Sequence, residues 1–183
     1  MPRLDSELKE QIRNLDFKIL HEIVLKLMAK EQWAYDFVLL NYLDKDAGEK
    51  DLFTKTKIDL DLIFRKRHKG FSEELQVANM LKECIKRINM FTKISKNKVM
   101  EADLLLYILK VPFSLSVNMF GTCFTQYDTK VAIIVKRLLN LVTNKLHDDY
   151  KAEYIPFINE YLEVLHRTSN HIDTVYGLPI KIS

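Results

Sequence analysis

The sequence is poor in the two residues that most often interrupt helices. It contains only four glycines and four prolines in 183 residues. Because both residues are costly inside a helix, their scarcity and their position between long runs of helix-forming residues predict an all-α chain. The eight residues are Gly48, Gly70, Gly121, Gly177, Pro2, Pro112, Pro156 and Pro179.

Cysteines and long apolar runs are also scarce. Cys84 and Cys123 are the only cysteines, which argues against a disulfide framework and for a reducing compartment, with a single disulfide between them left open. Residues 1–7 lack the apolar core of a signal peptide, and no apolar run reaches the roughly 18 residues of a membrane-spanning helix. We therefore expect a cytoplasmic protein that does not enter a membrane.

The length and the balance of residues are those of one globular domain. The chain is 48% hydrophobic and 29% charged, which is ordinary for a folded protein with a sizeable core. We therefore predict a single helical domain over 1–183. The tail, 170–183, carries apolar side chains such as Ile172, Val175 and Leu178, and we expect it to pack on the body or on a partner.

Capping residues mark several helix starts. Asp5, Asp16 and Ser72 each precede a helical apolar pattern and can accept from its free N–H groups. The spacing of Asp46 and Glu49 resembles a capping box and predicts a long helix from about Ala47 to Lys69, which would form an antiparallel hairpin with the helix after Ser72. Residues 32–43 are apolar nearly all round, which predicts a central helix covered by its neighbours.

The second half of the chain repeats the helical pattern. A helix after residue 97 should stop before Pro112, because proline disfavours helical geometry in the residue ahead of it. Residues 113–124 could form a short helix or an irregular connector, of which the short helix is favoured, and Asp128 is the predicted cap of the next long helix. The prediction is seven to nine helices packed as antiparallel hairpins, in either an irregular bundle or a short HEAT-like stack.

Catalytic and metal-binding patterns do not stand out. Glu163 and His166 have the spacing of one half of a di-iron site, but such a site needs a second Glu-x-x-His and further carboxylates. We therefore expect no metal and no cofactor. No recognised arrangement of nucleophile, base and orienting group occurs, so the prediction is a protein that is not an enzyme. An enzyme whose site is assembled only on folding is the alternative.

The charge distribution indicates the strongest candidate site. The net charge is only +3, but residues 65–98 contain ten Lys or Arg against three Glu. Part of this cluster suits the dipole at a helix C-terminus, and part could contact phosphates. A solvated surface that favours solubility is the competing explanation. The candidate residues for nucleic-acid or anion binding are Arg65, Lys66, Arg67, Lys69, Lys82, Lys86, Arg87 and Lys93.

The layout as a whole resembles an uncharacterised bacterial family of small all-helical proteins. The resemblance covers about 16–166 and depends on the aromatic helix with Trp33, Tyr35 and Phe37, the Lys-rich helix that ends at 65–67, and the segment 102–107, Ala-Asp-Leu-Leu-Leu-Tyr. It implies a helical-repeat-like fold and no known activity.

Long two-sided helices, a cationic hairpin and an apolar tail together favour one function. We predict a cytoplasmic interaction module that binds another macromolecule, either a protein or a second copy of itself. A nucleic-acid-binding protein that uses the 65–98 hairpin is the alternative.

Overall fold

The computed structural model describes residues 4–183, and within this range the fold is all-α, as the sequence predicts. Nine α-helices are present among these residues and no strand is. The helices are α1 (Ser6–Arg13), α2 (Phe17–Lys30), α3 (Gln32–Val38), α4 (Lys45–Arg65), α5 (Glu73–Ile94), α6 (Lys98–Ser114), α7 (Thr125–Lys145), α8 (Asp148–Ser169) and α9 (Asp173–Tyr176).

The chain divides into two compact units. We call Met1–Lys50 the N-terminal unit and Asp51–Ser183 the C-terminal unit, and we describe each by itself. The sequence predicts one domain over 1–183, of which residues 1–3 lie outside the described residues.

The first two helices of the N-terminal unit begin at the predicted caps. Asp5 Oδ1 accepts from the N–H of Leu8 at 2.7 Å, and Asp16 Oδ1 accepts from the N–H of Lys18 at 2.7 Å. Neither α1 nor α2 contains a buried residue. Both helices are therefore specified by local hydrogen bonds and apolar periodicity, while their apolar faces stay open.

The prediction for residues 32–43 is only partly correct. The segment is helical, but α3 gives way to a π-helical turn, Leu39–Leu43. Ala34 and Leu40 are buried, whereas Trp33 and Tyr42 are exposed. A helix of seven residues makes about two turns, and the buried residues of α3, Ala34 and Asp36, are two positions apart on different sides of it. The helix is therefore covered at separate positions and not all round.

The bounds predicted for α4 are wrong at both ends. Asp44, and not Asp46, caps the helix, because Asp44 Oδ1 accepts from the N–H of Ala47 at 3.0 Å. The helix ends at Arg65 instead of Lys69. The chain then turns through Gly70, whose φ of +149° is open to glycine and strained for other residues. Asn79 Nδ2 holds this connection by donating to the carbonyl of Lys69 at 2.8 Å.

The C-terminal unit is a bundle. Its part of α4 runs antiparallel to α5, because Phe53 lies against Phe91 and Arg87 bonds to Asp59. This is the predicted hairpin. Helices α5 to α8 then alternate in direction, and α7 packs against α5, α6 and α8. The bundle, and not the stack, is the arrangement of this unit.

Two corrections concern the centre of the bundle. Pro112 does not stop α6 but lies inside it, two residues before its end, and is buried in the bundle. Proline removes one backbone hydrogen bond, to the carbonyl of Ile108, and the burial of its ring offsets this cost. Asp128 does not cap α7, which begins at Thr125. Its buried carboxylate instead accepts from the hydroxyl of Ser169 and from the N–H of Gly121. Gly121 has a φ of +70°, which favours glycine. A Cβ at this position would also clash with the carbonyl oxygen of Thr168.

The segment between α6 and α7 is mostly irregular. It contains one short 3₁₀ turn, Val117–Met119, where the sequence favours a short helix over residues 113–124. The side chain of Ser116 accepts from the N–H of Asn118 at 3.3 Å and so caps this turn.

The C-terminal tail packs on the body of its own unit. Val175 of α9 is fully buried, and α9 contacts both α7 and α8. Asn159 and Ile182 exchange two hydrogen bonds: the Asn159 side chain donates to the Ile182 carbonyl at 3.0 Å and accepts from its N–H at 2.9 Å. Val175 and Leu178 are thus part of the core of the C-terminal unit, whereas Tyr176 and Ile180 of the same segment are exposed.

Candidate binding surfaces

The predicted basic residues occupy two stretches of the C-terminal unit. One group stands at the end of α4 and in the connection that follows it, and the other stands on α5. The structure divides the eight residues by what they contact. The first group is Arg65, Lys66, Arg67 and Lys69, and the second is Lys82, Lys86, Arg87 and Lys93.

Two of the eight residues form ion pairs that tie the hairpin together. Lys66 Nζ donates to Glu83 at 3.2 Å, and Arg87 Nε donates to Asp59 at 2.6 Å. The hydrogen bond from Lys66 lowers the pKa of Glu83, and the nearby charges act in the same direction. The charges of Lys66 and Arg87 are thus largely used within the hairpin.

Lys82 and Lys86 have a different environment, because they point towards α7. They form one wall of a groove, and Lys130 and Arg137 of α7 form the other, with Ile85 and Ile133 between the two walls. Leu81 and Ile134 lie at its base and are buried. We call this feature the α5–α7 groove.

The two walls of the groove are parallel helices. Ala78 and Lys82 lie beside Thr125 and Lys130, and further along Asn89 accepts from Arg137. Residue numbers therefore rise in the same direction on both walls. Helix α6 runs antiparallel to them, since Arg137 bonds to Glu101 and the Tyr127 hydroxyl donates to the carbonyl of Pro112.

Arg137 is held at one end of the groove by a polar cluster. Its Nη2 donates to Glu101 at 2.8 Å and its Nη1 donates to Asn89 at 2.7 Å, while Lys98 donates to the other oxygen of Glu101 at 2.8 Å. Burial alone would raise the pKa of Glu101, but the hydrogen bonds from Lys98 and Arg137 outweigh burial and lower it. Glu101 is therefore fully engaged with these two cations.

Sequence reasoning missed the α7 side of this surface. Helix α7 contains four basic residues, and its single acidic residue, Asp128, is buried. This imbalance was readable in the sequence. What the sequence could not supply is that α7 lies beside the face of α5 that carries Lys82 and Lys86. The missed residues are Lys130, Lys136, Arg137 and Lys145.

A second candidate surface is apolar and lies on α1 and α2 of the N-terminal unit. Leu8, Ile12, Ile23 and Leu25 are all exposed, and Phe17 is 80% exposed. Residues 4–30 carry five acidic and five basic side chains, so the charge beside these apolar faces balances. The surface is thus apolar with a mixed polar border.

The residues considered for metal or redox chemistry have ordinary surroundings. His166 Nε2 donates to the carbonyl of Pro179 at 3.1 Å, which directs the ring to the tail. Among residues 4–183, no three His, Cys, Asp or Glu side chains are grouped as metal ligands. Both cysteines are free; Cys123 is exposed, and burial raises the pKa of the Cys84 thiol to about 12.

Comparison with known proteins leaves the residues themselves as the guide to function. No family model, no curated protein and no solved structure matches this chain. The resemblance to an uncharacterised bacterial family of helical proteins stays a prediction. Within the described part of the chain, none of the helices has both the length and the apolar character needed to cross a bilayer.

Proposed function

We propose that this protein is a non-enzymatic helical interaction module that binds another protein through the apolar faces of α1 and α2. The observation that carries the proposal is the complete absence of buried residues from these two helices. Each has a one-sided apolar face, and such faces are normally covered in a folded protein. Large exposed apolar patches mark interaction sites.

The charges beside these faces favour a protein over a membrane. Helices that lie on anionic membranes carry an excess of Lys and Arg on their polar face. Residues 4–30 instead balance five basic side chains with five acidic ones. Mixed charges beside an apolar seam are typical of helix–helix interfaces, where they select the partner.

The non-enzymatic role and the cytoplasmic location are the other two parts of the proposal. No recognised catalytic spacing occurs in the chain, which supports a binding role. Two free cysteines, one of them exposed, suit a reducing cytoplasm better than an oxidising compartment.

The test compares two triple variants that replace the same number of residues by glutamine. One removes apolar side chains and the other removes charges from exposed positions of the same helices. Circular dichroism should show equal helix content for both. The apolar-face variant is Leu8→Gln, Ile12→Gln and Ile23→Gln, and its control is Glu10→Gln, Arg13→Gln and Lys30→Gln.

The readout is direct binding to a purified partner. Proteins retained from the source cells by the parent are identified and purified, and the parent itself is tested for self-association by sedimentation velocity. We expect the apolar-face variant to bind at least about tenfold more weakly than the parent, and the control to bind as the parent does. Equal binding by all three proteins would contradict the proposal, as would binding of the parent to lipid vesicles that the apolar-face variant loses.

Nucleic-acid binding by the 65–98 hairpin is the second candidate function. Arg65, Arg67 and Lys69 favour it, because all three are exposed at the end of α4 and in its connection to α5. Binding to mixed-sequence RNA and duplex DNA should then fall steeply with salt. It should also fall in Arg67→Glu with Lys69→Glu, two positions outside the ion pairs of the hairpin. Binding that is insensitive to both changes would reject this alternative.

A further inference from the structure

We propose that the α5–α7 groove is a second binding site, which takes an acidic amphipathic helix of a partner protein. The site lies in the C-terminal unit and is separate from the apolar faces of α1 and α2. Three properties of the groove lead to this occupant: its unneutralised cations, its aliphatic floor and its length.

The first property is the charge of the two walls. Lys82 and Lys86 on α5 and Lys130 on α7 have no carboxylate within 4.0 Å in the described part of the chain. Two acidic residues of α5 and α6 are engaged by other cations: Glu83 bonds to Lys66, with a smaller contribution from the charge of Lys86 to its lowered pKa, and Glu101 bonds to Lys98 and Arg137. Like charges held close together repel one another, so an acidic ligand would gain from contact with both walls.

The second property is the floor. Ile133 is 48% exposed between the cationic walls, Ile85 is half-buried, and Leu81 and Ile134 are buried beneath them. An apolar side chain inserted here would cover Ile133 and remove its surface from water. The groove therefore suits a ligand with an apolar stripe between acidic flanks.

The same floor argues against nucleic acid as the occupant. Single-stranded nucleic acids are held by aromatic side chains on which the bases stack. None of the described residues that line the groove is aromatic. Exposed aliphatic side chains offer bases no stacking partner, but they do offer Leu or Ile of a helix a packing surface.

The third property is the length. The lining runs from Gln126 to Arg137 on α7, which corresponds to about 16 Å at 1.5 Å per residue. A helix of about three turns fits this distance. Its apolar residues at i and i+4 would meet Ile85 and Ile133, and its acidic residues would meet the lysines on either side.

The probe for the test is a synthetic peptide of about 16 residues, which is long enough to contain about three helical turns with flanking residues. It carries Leu at i, i+4, i+7 and i+11, Glu on both flanks of this stripe, and Ala elsewhere. One control peptide has the same composition with the leucines dispersed around the helix, and a second has Lys in place of Glu. A mixed-sequence RNA of similar length serves as the competing polyanion.

The groove variant is Lys82→Gln with Lys130→Gln, and its matched control is Lys50→Gln with Lys96→Gln, two exposed lysines outside the groove. Each substitution removes one charged side-chain group and leaves the backbone unchanged. Arg137 is not substituted, because its side chain bonds to Glu101. A third variant, Ile133→Ser, tests the floor. Circular dichroism and thermal unfolding should not distinguish these proteins from the parent, because substitutions at exposed positions usually change stability little.

We expect the parent to bind the acidic amphipathic peptide, the groove variant to bind it about tenfold more weakly and Ile133→Ser several-fold more weakly, with the control variant unchanged. Neither control peptide should bind comparably. Equal affinity for the peptide with dispersed leucines would overturn the proposal, and so would unchanged binding by the groove variant. RNA binding that is tighter than peptide binding and is lost in the groove variant would assign the groove to nucleic acid instead.

The two proposals fail separately. The apolar-face variant of α1 and α2 leaves the groove intact and should bind the peptide as the parent does. A protein that loses its partner but keeps the peptide would support both sites, and a protein that never binds the peptide would reject the groove alone.

Discussion

Helices α2 and α7 are both amphipathic in sequence, yet α7 contains ten buried residues and α2 contains none. In α7 the apolar stripe faces α5, α6 and α8. In α2 the equivalent stripe, with Ile23 and Leu27, stays exposed. The difference shows that apolar periodicity identifies a helix and its face, whereas the cover of that face depends on which other elements fold against it.

The comparison extends to the two units that contain these helices. The fully buried side chains of the C-terminal unit include Phe91, Leu105, Tyr127 and Ile158. They supply the hydrophobic stabilisation of a folded domain. The N-terminal unit keeps a large share of its apolar surface exposed. We infer that stability resides mainly in the C-terminal unit, and that the N-terminal unit supplies the apolar surface of the proposed function.

The largest effect on stability is expected when a buried leucine of the C-terminal unit is replaced by alanine, in comparison with an exposed leucine of the N-terminal unit. Leu105 in α6 is fully buried, whereas Leu25 in α2 is 53% exposed. Leu105→Ala should lower the free energy of unfolding by about 3 kcal/mol, because it leaves a cavity in the bundle. Leu25→Ala should lower it by less than about 0.5 kcal/mol. Urea unfolding followed by circular dichroism measures both, and similar losses at the two positions would remove the proposed division between the units.

A smaller effect is expected at the polar cluster of the bundle. Glu101→Gln keeps the shape of the side chain but removes the charge that Lys98 and Arg137 bind. We expect a loss of about 2 kcal/mol at neutral pH, as for hydrogen bonds to charged groups. No loss would mean that the cluster only balances the cost of burying its charges.

The same variant has a pH signature. The hydrogen bonds that outweigh burial lower the pKa of Glu101 in the folded protein below its ordinary value of 4.5. The stabilisation is therefore present above about pH 4.5 and is lost as the pH falls through the folded-state pKa. The stability difference between the parent and Glu101→Gln should shrink in acid, and a difference that stays constant from pH 7 to about pH 3 would contradict the assignment.

The smallest effect contrasts two helix caps. Asn97 Oδ1 accepts from the N–H groups of Val99 and Met100, both at 3.1 Å, at the start of α6. Asn97→Ala should cost about 1 kcal/mol in urea unfolding, because the cap is part of the cooperative bundle. Asp5→Ala removes the cap of the exposed α1 and should lower helix content without moving the main unfolding transition. A shift of that transition equal to the shift for Asn97→Ala would show that α1 unfolds together with the bundle.

Local chemistry made much of the fold predictable. Asp5, Asp16 and Ser72 were identified as caps because a short polar side chain before an apolar period has few other roles. Asp46 and Glu49 match the spacing of a capping box, but Asp44 can also accept from a helix N-terminus and lies two residues earlier. The prediction for Pro112 is wrong because proline disfavours helical geometry in the residue ahead of it without forbidding it.

Only the α5 side of the groove was predictable from the sequence. Lys82 and Lys86 were found from the basic stretch, but the same rule also included Lys66 and Arg87, which form ion pairs with Glu83 and Asp59. Charge counts along the chain cannot separate the two pairs. Lys66 and Arg87 pair within the α4–α5 hairpin, whereas Lys82 and Lys86 face α7. This difference depends on how the helices pack, which charge counts do not give.

The contacts of Arg137 also bear on how this bundle excludes other packings. A slide of α5 or α6 by one helical turn moves a side chain by about 5.4 Å, beyond the reach of any hydrogen bond. Such a slip would keep apolar side chains against apolar side chains, so hydrophobic contact alone discriminates poorly against it. A slip of α6 would, however, leave the buried Glu101 without its guanidinium, and a slip of α5 would move Asn89 away from Arg137. Arg137 on α7 thus fixes the register of α5, α6 and α7 relative to one another.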